Sequence, residues 1–123
     1  EKLIEQEQQA YERKDITDVL KYVLDIHLEI ANISGNDMLV NQLKELVSLT
    51  NIYLTFYSEM KLDNPRSPKE HLAILKAIRD GKTEDASALM KEHISQIQSR
   101  LNFKLIQQPY SSVEQVLKKY GEV

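Results

Sequence analysis

Apolar residues recur at the spacing of an α-helix through most of this 123-residue chain. The segment 16–33 is the clearest case, because its apolar positions follow the i, i+3, i+4, i+7 rule of one helix face. The members of this stripe are Ile16, Val19, Leu20, Val23, His27 and Ile30. Helices with one apolar stripe must pack on one another to bury it. The sequence therefore predicts an all-α fold, an antiparallel helical bundle of about six helices.

Start and stop residues divide the chain into these helices. The predicted spans are about 2–13, 16–33, 37–60, 68–79, 83–101 and 112–120. N-caps are predicted at Asp15, Asn36, Ser67 and Thr83, and left-handed stops at Gly35 and Gly81. We interpret residues 1–101 as the bundle and 102–123 as a C-terminal extension. The short helix of the extension has so few apolar residues that it needs another surface to rest on.

Composition excludes several classes of protein. Three Gly, three Pro, 41% apolar and 28% charged residues are typical of a soluble helical domain. The absence of cysteine excludes disulfides and thiolate metal sites, so histidine and carboxylate are the remaining metal ligands. A net charge of −3 without a basic stripe argues against DNA binding by this chain. The sequence has neither a membrane-length apolar run nor a signal peptide, which predicts a cytoplasmic protein without membrane contact.

The three histidines of the chain, His27, His71 and His93, fall on the core stripes of three different predicted helices. Because a stripe covers roughly a third of a helix surface, this coincidence is unexpected by chance. Three imidazoles near a bundle axis suit Zn²⁺ or Ni²⁺ and leave a position for water or a carboxylate. The alternative is three core histidines bonded to backbone or water. Glu70 and Glu92 each adjoin a histidine but point about 100° away from it, so we expect them in solvent.

Two segments, DITDVLKYVLDIHLEIANISGNDML and SPKEHLAILKAIRDGKTEDASALMKEHI, together resemble a known family. They are similar to the effector-binding C-terminal domain, or FCD domain, of FadR-like regulators within the GntR family of transcription regulators. The resemblance covers about residues 5–101. It implies an all-helical antiparallel bundle that dimerises and follows an N-terminal winged helix-turn-helix DNA-binding domain. We expect that DNA-binding domain to be absent from this chain.

The resemblance also implies a divalent metal held by one aspartate and three histidines. The histidines of this chain match the three histidine positions, but Val23 stands where the family has aspartate, four residues before His27. Either the three histidines hold the metal together with water or an effector carboxylate, or the pocket works without metal. Val23, Tyr53 and Tyr57 are predicted to line the effector pocket.

The leading hypothesis is a ligand-sensing and dimerisation domain of a bacterial transcription regulator, not an enzyme. Its expected partners are a small carboxylate effector, a second copy of the chain, and DNA only through the missing N-terminal domain. One alternative is a metal-free helical bundle that senses an apolar ligand or only dimerises. Another is a metal-dependent hydrolase with a three-histidine centre, although no carboxylate shares a helix face with a histidine to act as general base.

Overall fold

A computed structural model of the chain describes residues 1–57, 62–63, 65–101 and 118, and its regular elements are α-helices. The helices are α1 (Lys2–Glu12), α2 (Ile16–Asn32), α3 (Asp37–Tyr57), α4 (Ser67–Arg79) and α5 (Thr83–Ser99). Short turns join α1 to α2, α2 to α3 and α4 to α5, and each of these pairs packs together. Helix α1 also packs on α4. The predicted all-α bundle is confirmed, while the predicted sixth helix at 112–120 lies outside the described residues, apart from residue 118.

Local signals correctly placed the ends of α2 and the start of α3. The Asp15 carboxylate accepts a hydrogen bond from the backbone N–H of Asp18 (3.1 Å), and the Asn36 side chain accepts one from Leu39 N–H (3.1 Å). Gly35 lies just beyond α2 with φ of +66°, in the left-handed region that stops a helix without a steric penalty. These turns fix how α1, α2 and α3 follow one another.

The predicted caps of α4 and α5 are wrong. Arg66 and Lys82 occupy the N-cap positions, and neither helix has a side-chain capping bond. The hydroxyl of Ser67 is turned into the bundle instead, where it donates to the buried carboxylate of Glu7 (2.6 Å). A tertiary contact with a charged acceptor has replaced the local cap, since such hydrogen bonds are stronger than neutral ones.

One apolar cluster of the core lies between α1 and α2. Ala10, Tyr11 and Val19 are buried there, and Tyr22 and Val23 pack against them. None of the described helices combines the length and the hydropathy that a membrane-spanning helix requires.

Next to this apolar cluster the interior is polar. Buried polar side chains come from four helices: Glu7, His27, Ser67, His71 and His93. Glu7 and His71 are fully excluded from solvent, at 0% exposure, like the apolar Val19. Burying a polar group costs free energy unless the group is paired. The hydrogen-bond partners of these side chains therefore indicate the function of this interior.

Candidate metal centre

The three histidines meet inside the bundle. His27 comes from α2, His71 from α4 and His93 from α5, and their side chains are 5%, 0% and 2% exposed. Nε2 of His27 lies 3.2 Å from Nε2 of His71 and 3.3 Å from Nε2 of His93. Each ring offers one nitrogen within 4.8 Å of the others. The structure therefore brings together the three histidines that the sequence predicts as metal ligands, and their binding of a metal stays a prediction.

Regular helices hold all three rings. His71 stands one turn into α4, after Pro68, whose fixed φ suits a first helical turn. His27 and His93 lie well inside α2 and α5. Because helical hydrogen bonds fix the backbone at each position, helix packing rather than a loop sets where the rings meet.

Glu7 is the partner of His71. The Nδ1–H of His71 donates to Oε2 of Glu7 at 2.8 Å, and the Ser67 hydroxyl donates to Oε1 at 2.6 Å. Both donors lie on α4, one turn apart, whereas Glu7 lies on α1. Both carboxylate oxygens therefore have a donor, which offsets part of the cost of burying the group.

Glu70 is the partner of His93, contrary to the expectation that it stays in solvent. The Nδ1–H of His93 donates to Oε2 of Glu70 at 2.7 Å, although the Glu70 side chain is still 27% exposed. The helical repeat separates Glu70 from His71 on the same helix, but α5 packs on α4 and brings His93 to Glu70. Glu92 is exposed, as expected, and accepts a hydrogen bond from Gln96.

Burial favours the neutral, metal-binding form of two of the rings, those of His27 and His93. It lowers the pKa of His27 to about 3, and repulsion from positive charge on His71 and His93 acts in the same direction. Burial also lowers the pKa of His93, against the hydrogen bond to Glu70, which raises it. Metal ligation requires unprotonated nitrogen, so these shifts favour coordination near neutral pH.

When all three rings are neutral, the hydrogen bonds to Glu7 and Glu70 leave the cluster one proton short. With Nδ1–H of His71 and His93 donated to carboxylates, each neutral ring presents a lone pair at Nε2. His27 can carry only one proton on its own Nε2 and can satisfy only one of these lone pairs. Within the three-histidine cluster, one buried acceptor is left without a donor, and a single cation between the rings would satisfy all three nitrogens.

Two of the three separations between the nitrogens fit such a cation. A tetrahedral centre with Zn–N bonds of roughly 2.05 Å separates its ligand nitrogens by about 3.3 Å. The separations measured from Nε2 of His27 are 3.2 and 3.3 Å. Glu7 and Glu70 also place two carboxylates behind the ring nitrogens, enough negative charge to balance a divalent ion.

The three residues predicted to line an effector pocket lie on two helices, α2 and α3. Val23 is partly buried and packs against the apolar cluster of α1 and α2. Tyr53 is 46% exposed on α3, and the side chain of Tyr57 lies outside the described part of the structure. The role of these three residues as an effector pocket stays a prediction.

Sequence reasoning missed Glu7, although a signal for it was present. Glu7 continues the stripe that begins at Leu3 and Ile4 and runs on to Ala10 and Tyr11, at spacings of three and four residues. The test that singled out the histidines, an ionisable residue on an apolar stripe, selects Glu7 as well.

Comparison with known proteins identifies the family of the chain. The family model of the FCD domain matches residues 1–96, and the chain belongs to this family. The resemblance to the C-terminal effector-binding domain of GntR-family regulators is thereby confirmed.

The chain also matches part of an individual protein. The chain is similar to the DNA-directed RNA polymerase subunit beta' of Metamycoplasma arthritidis (strain 158L3-1), with 28% identity over 93 residues. That match covers 76% of this chain and spans only 6% of the length of that subunit. No solved structure matches the chain.

Proposed function

We propose that this chain is the ligand-sensing and dimerisation domain of a bacterial GntR-family transcription regulator of the FadR-like subfamily. In this proposal His27, His71 and His93 hold a divalent metal, zinc or nickel, through their Nε2 atoms. The single observation that carries the proposal is the convergence of three buried histidine nitrogens within 4.8 Å of one another, with Nε2 of His27 3.2 and 3.3 Å from Nε2 of the other two rings. The FCD family match supports the regulatory role.

The metal would serve as the anchor for a small carboxylate effector. When bound, it acts as a Lewis acid that attracts carboxylate oxygen, and three histidine ligands leave at least one position for it. Val23 supplies no ligand atom where the family has aspartate, so that position is available to an exogenous ligand. Effector binding regulates the protein if the ligand has different affinities for two arrangements of the dimer.

The proposed partners follow from the same role. Helix α3 exposes Leu46, Leu49 and Ile52, each more than half exposed, and apolar patches of this kind mark interaction surfaces. We take this patch as support for a homodimer. DNA contact is assigned to an N-terminal winged helix-turn-helix domain outside this chain, in a cytoplasmic regulator.

The alternatives are less well supported. In a metal-free bundle, three neutral rings would leave one buried acceptor without a donor. A three-histidine hydrolase requires a free general base near the metal. The carboxylates beside the described centre, Glu7 and Glu70, are both engaged at Nδ1 of a histidine.

Metal analysis tests the proposal directly. We expect the purified domain, loaded with zinc under mild conditions and desalted, to retain about one equivalent of metal, because one site with three nitrogen ligands is present. The measurement is inductively coupled plasma mass spectrometry on matched protein concentrations. A triple variant with His27, His71 and His93 replaced by glutamine is the control. Retention of zinc equal to that control would refute the metal centre.

Restoring the family's aspartate should tighten metal binding. Residues four apart are neighbours on a helix, so in Val23→Asp the carboxylate arrives beside His27. We expect zinc affinity to rise about tenfold, a net gain of about 1.4 kcal/mol. The metal-free fold should lose about 1–3 kcal/mol, because position 23 packs in an apolar cluster. Competition with a chromophoric chelator gives the first quantity and urea unfolding the second.

Val23→Asn is the matched control, since asparagine has nearly the same shape as aspartate but carries no charge. We expect it to destabilise the fold in the same way with no gain in zinc affinity. Equal affinities for Val23→Asp and wild type, with both proteins folded, would show that position 23 does not reach the centre.

A further inference from the structure

Helix α1 contacts the histidine cluster through the side chain of Glu7. Helices α2, α4 and α5 each supply a histidine, whereas α1 supplies a carboxylate that is itself completely buried. Nothing in the chemistry of a three-histidine site requires a fourth helix. The position of Glu7 behind His71, at 2.8 Å from Nδ1, is therefore informative.

The hydrogen bonds of Glu7 leave the carboxylate little freedom. One oxygen accepts from Ser67 and the other from His71, and these two side chains lie one turn apart on α4. A carboxylate can only accept, so the nitrogen that faces it must carry the proton. This arrangement fixes both the tautomer and the orientation of the His71 ring.

We propose that Glu7 is a positioning residue for the metal centre: it holds His71 as the Nδ1–H tautomer and thereby presents the Nε2 lone pair to the point where the three rings meet. This inference rests on the proposed metal site. A carboxylate at the outer nitrogen also makes the imidazole a more basic ligand. Glu7 would therefore strengthen metal binding without touching the metal.

Glu70 offers an internal comparison. It makes the same contact to His93, at 2.7 Å, but its side chain is 27% exposed whereas that of Glu7 is 0% exposed. Water competes for Glu70 and screens its charge, while the charge of Glu7 acts in a low-dielectric interior. The two carboxylates should therefore contribute unequally, with Glu7 the larger contributor.

The experiment uses two readouts on the intact domain. The first is the tautomer of His71 in metal-free wild-type protein, read from long-range ¹⁵N–¹H correlations of the imidazole nitrogens. We expect a protonated Nδ1 and an unprotonated Nε2. A neutral His71 ring with its proton on Nε2 would overturn the inference, and this result depends on no variant and no metal.

The second readout is zinc affinity, measured by competition with a chromophoric chelator. We expect Glu7→Gln to weaken binding by about tenfold or more, because an amide accepts a weaker hydrogen bond and carries no charge. Glu70→Gln should show a smaller loss. Glu5→Gln is the matched control, since Glu5 is exposed on the same helix and its replacement makes the same change in net charge.

The outcomes separate this inference from the proposed function. Equal zinc affinities for Glu7→Gln and Glu5→Gln would overturn the positioning role while the metal site stands. Failure of wild-type protein to bind zinc would refute the proposed function and, with it, the effect of Glu7 on affinity. The His71 tautomer would still decide whether Glu7 orients the ring.

Discussion

Replacing His27 with leucine is expected to weaken zinc binding by about 100-fold. Structural zinc sites contribute roughly 10–16 kcal/mol through four ligands, or about 3 kcal/mol for each ligand, and 1.4 kcal/mol corresponds to a factor of ten. His27 is the best of the three histidines to remove. Nε2 of His27 contacts the other two rings and neither carboxylate, so its loss leaves neither Glu7 nor Glu70 without a donor. Competition with a chromophoric chelator measures the change in affinity.

The fold should tolerate this substitution. His27 lies on the apolar stripe of α2, where leucine suits both the helix and its buried surroundings. Circular dichroism and the urea midpoint establish that the variant is folded. Ile30→Val on the same stripe is the control, since it alters packing by one methyl group and keeps all three imidazoles. Wild-type affinity in folded His27→Leu would mean that this ring is not a ligand.

Acid is expected to destabilise the metal-free domain, and His27 alone should account for about 2 kcal/mol between pH 6.5 and pH 5. Burial lowers the pKa of His27 from its ordinary 6.5 to about 3 in the folded state. In this range the unfolded chain takes up the proton and the folded chain does not, so stability falls as the pH falls. The loss from one such group is about 1.4 kcal/mol per pH unit. It begins near pH 6.5 and continues down to about pH 3.

Urea unfolding of wild type and His27→Leu at pH 6.5 and pH 5 isolates this contribution. We expect wild type to lose about 2 kcal/mol more than the variant between the two pH values. The lowered pKa of His93 adds a loss of the same sign that both proteins share. The same pH dependence in both proteins would show that His27 is not held neutral by burial.

These two predictions also distinguish the metal centre from three ordinary core histidines. Core histidines satisfied by backbone or water would give the acid effect without zinc affinity. A metal centre gives both, and bound zinc should raise the stability at both pH values, because a ligand of the native state adds to its stability. Repeating the unfolding experiment with saturating zinc therefore tests the assignment in one further step.

The sequence by itself determined the helices and the candidate ligands. Caps at Asp15 and Asn36 and the stop at Gly35 depend on contacts within a few residues, so their chemistry can be read along the chain. The stripe that carries His27 is equally local, because the helical repeat fixes which residues share a face. Three histidines on three such stripes were enough to predict that the rings meet.

Only the tertiary structure decided which carboxylates pair with these rings. Ser67 was read as a cap because the sequence shows its neighbours on α4 but not Glu7, which is 60 residues away along the chain. Glu70 was assigned to solvent because its angle to His71 is fixed by α4, whereas its contact with His93 depends on how α5 crosses α4. Spacing within a helix is set by the repeat of the backbone, but contacts between helices are set by the packing of whole faces. The second cannot be derived from the first, and so the sequence predicted the three candidate ligands while the structure supplied the carboxylates that pair with their rings.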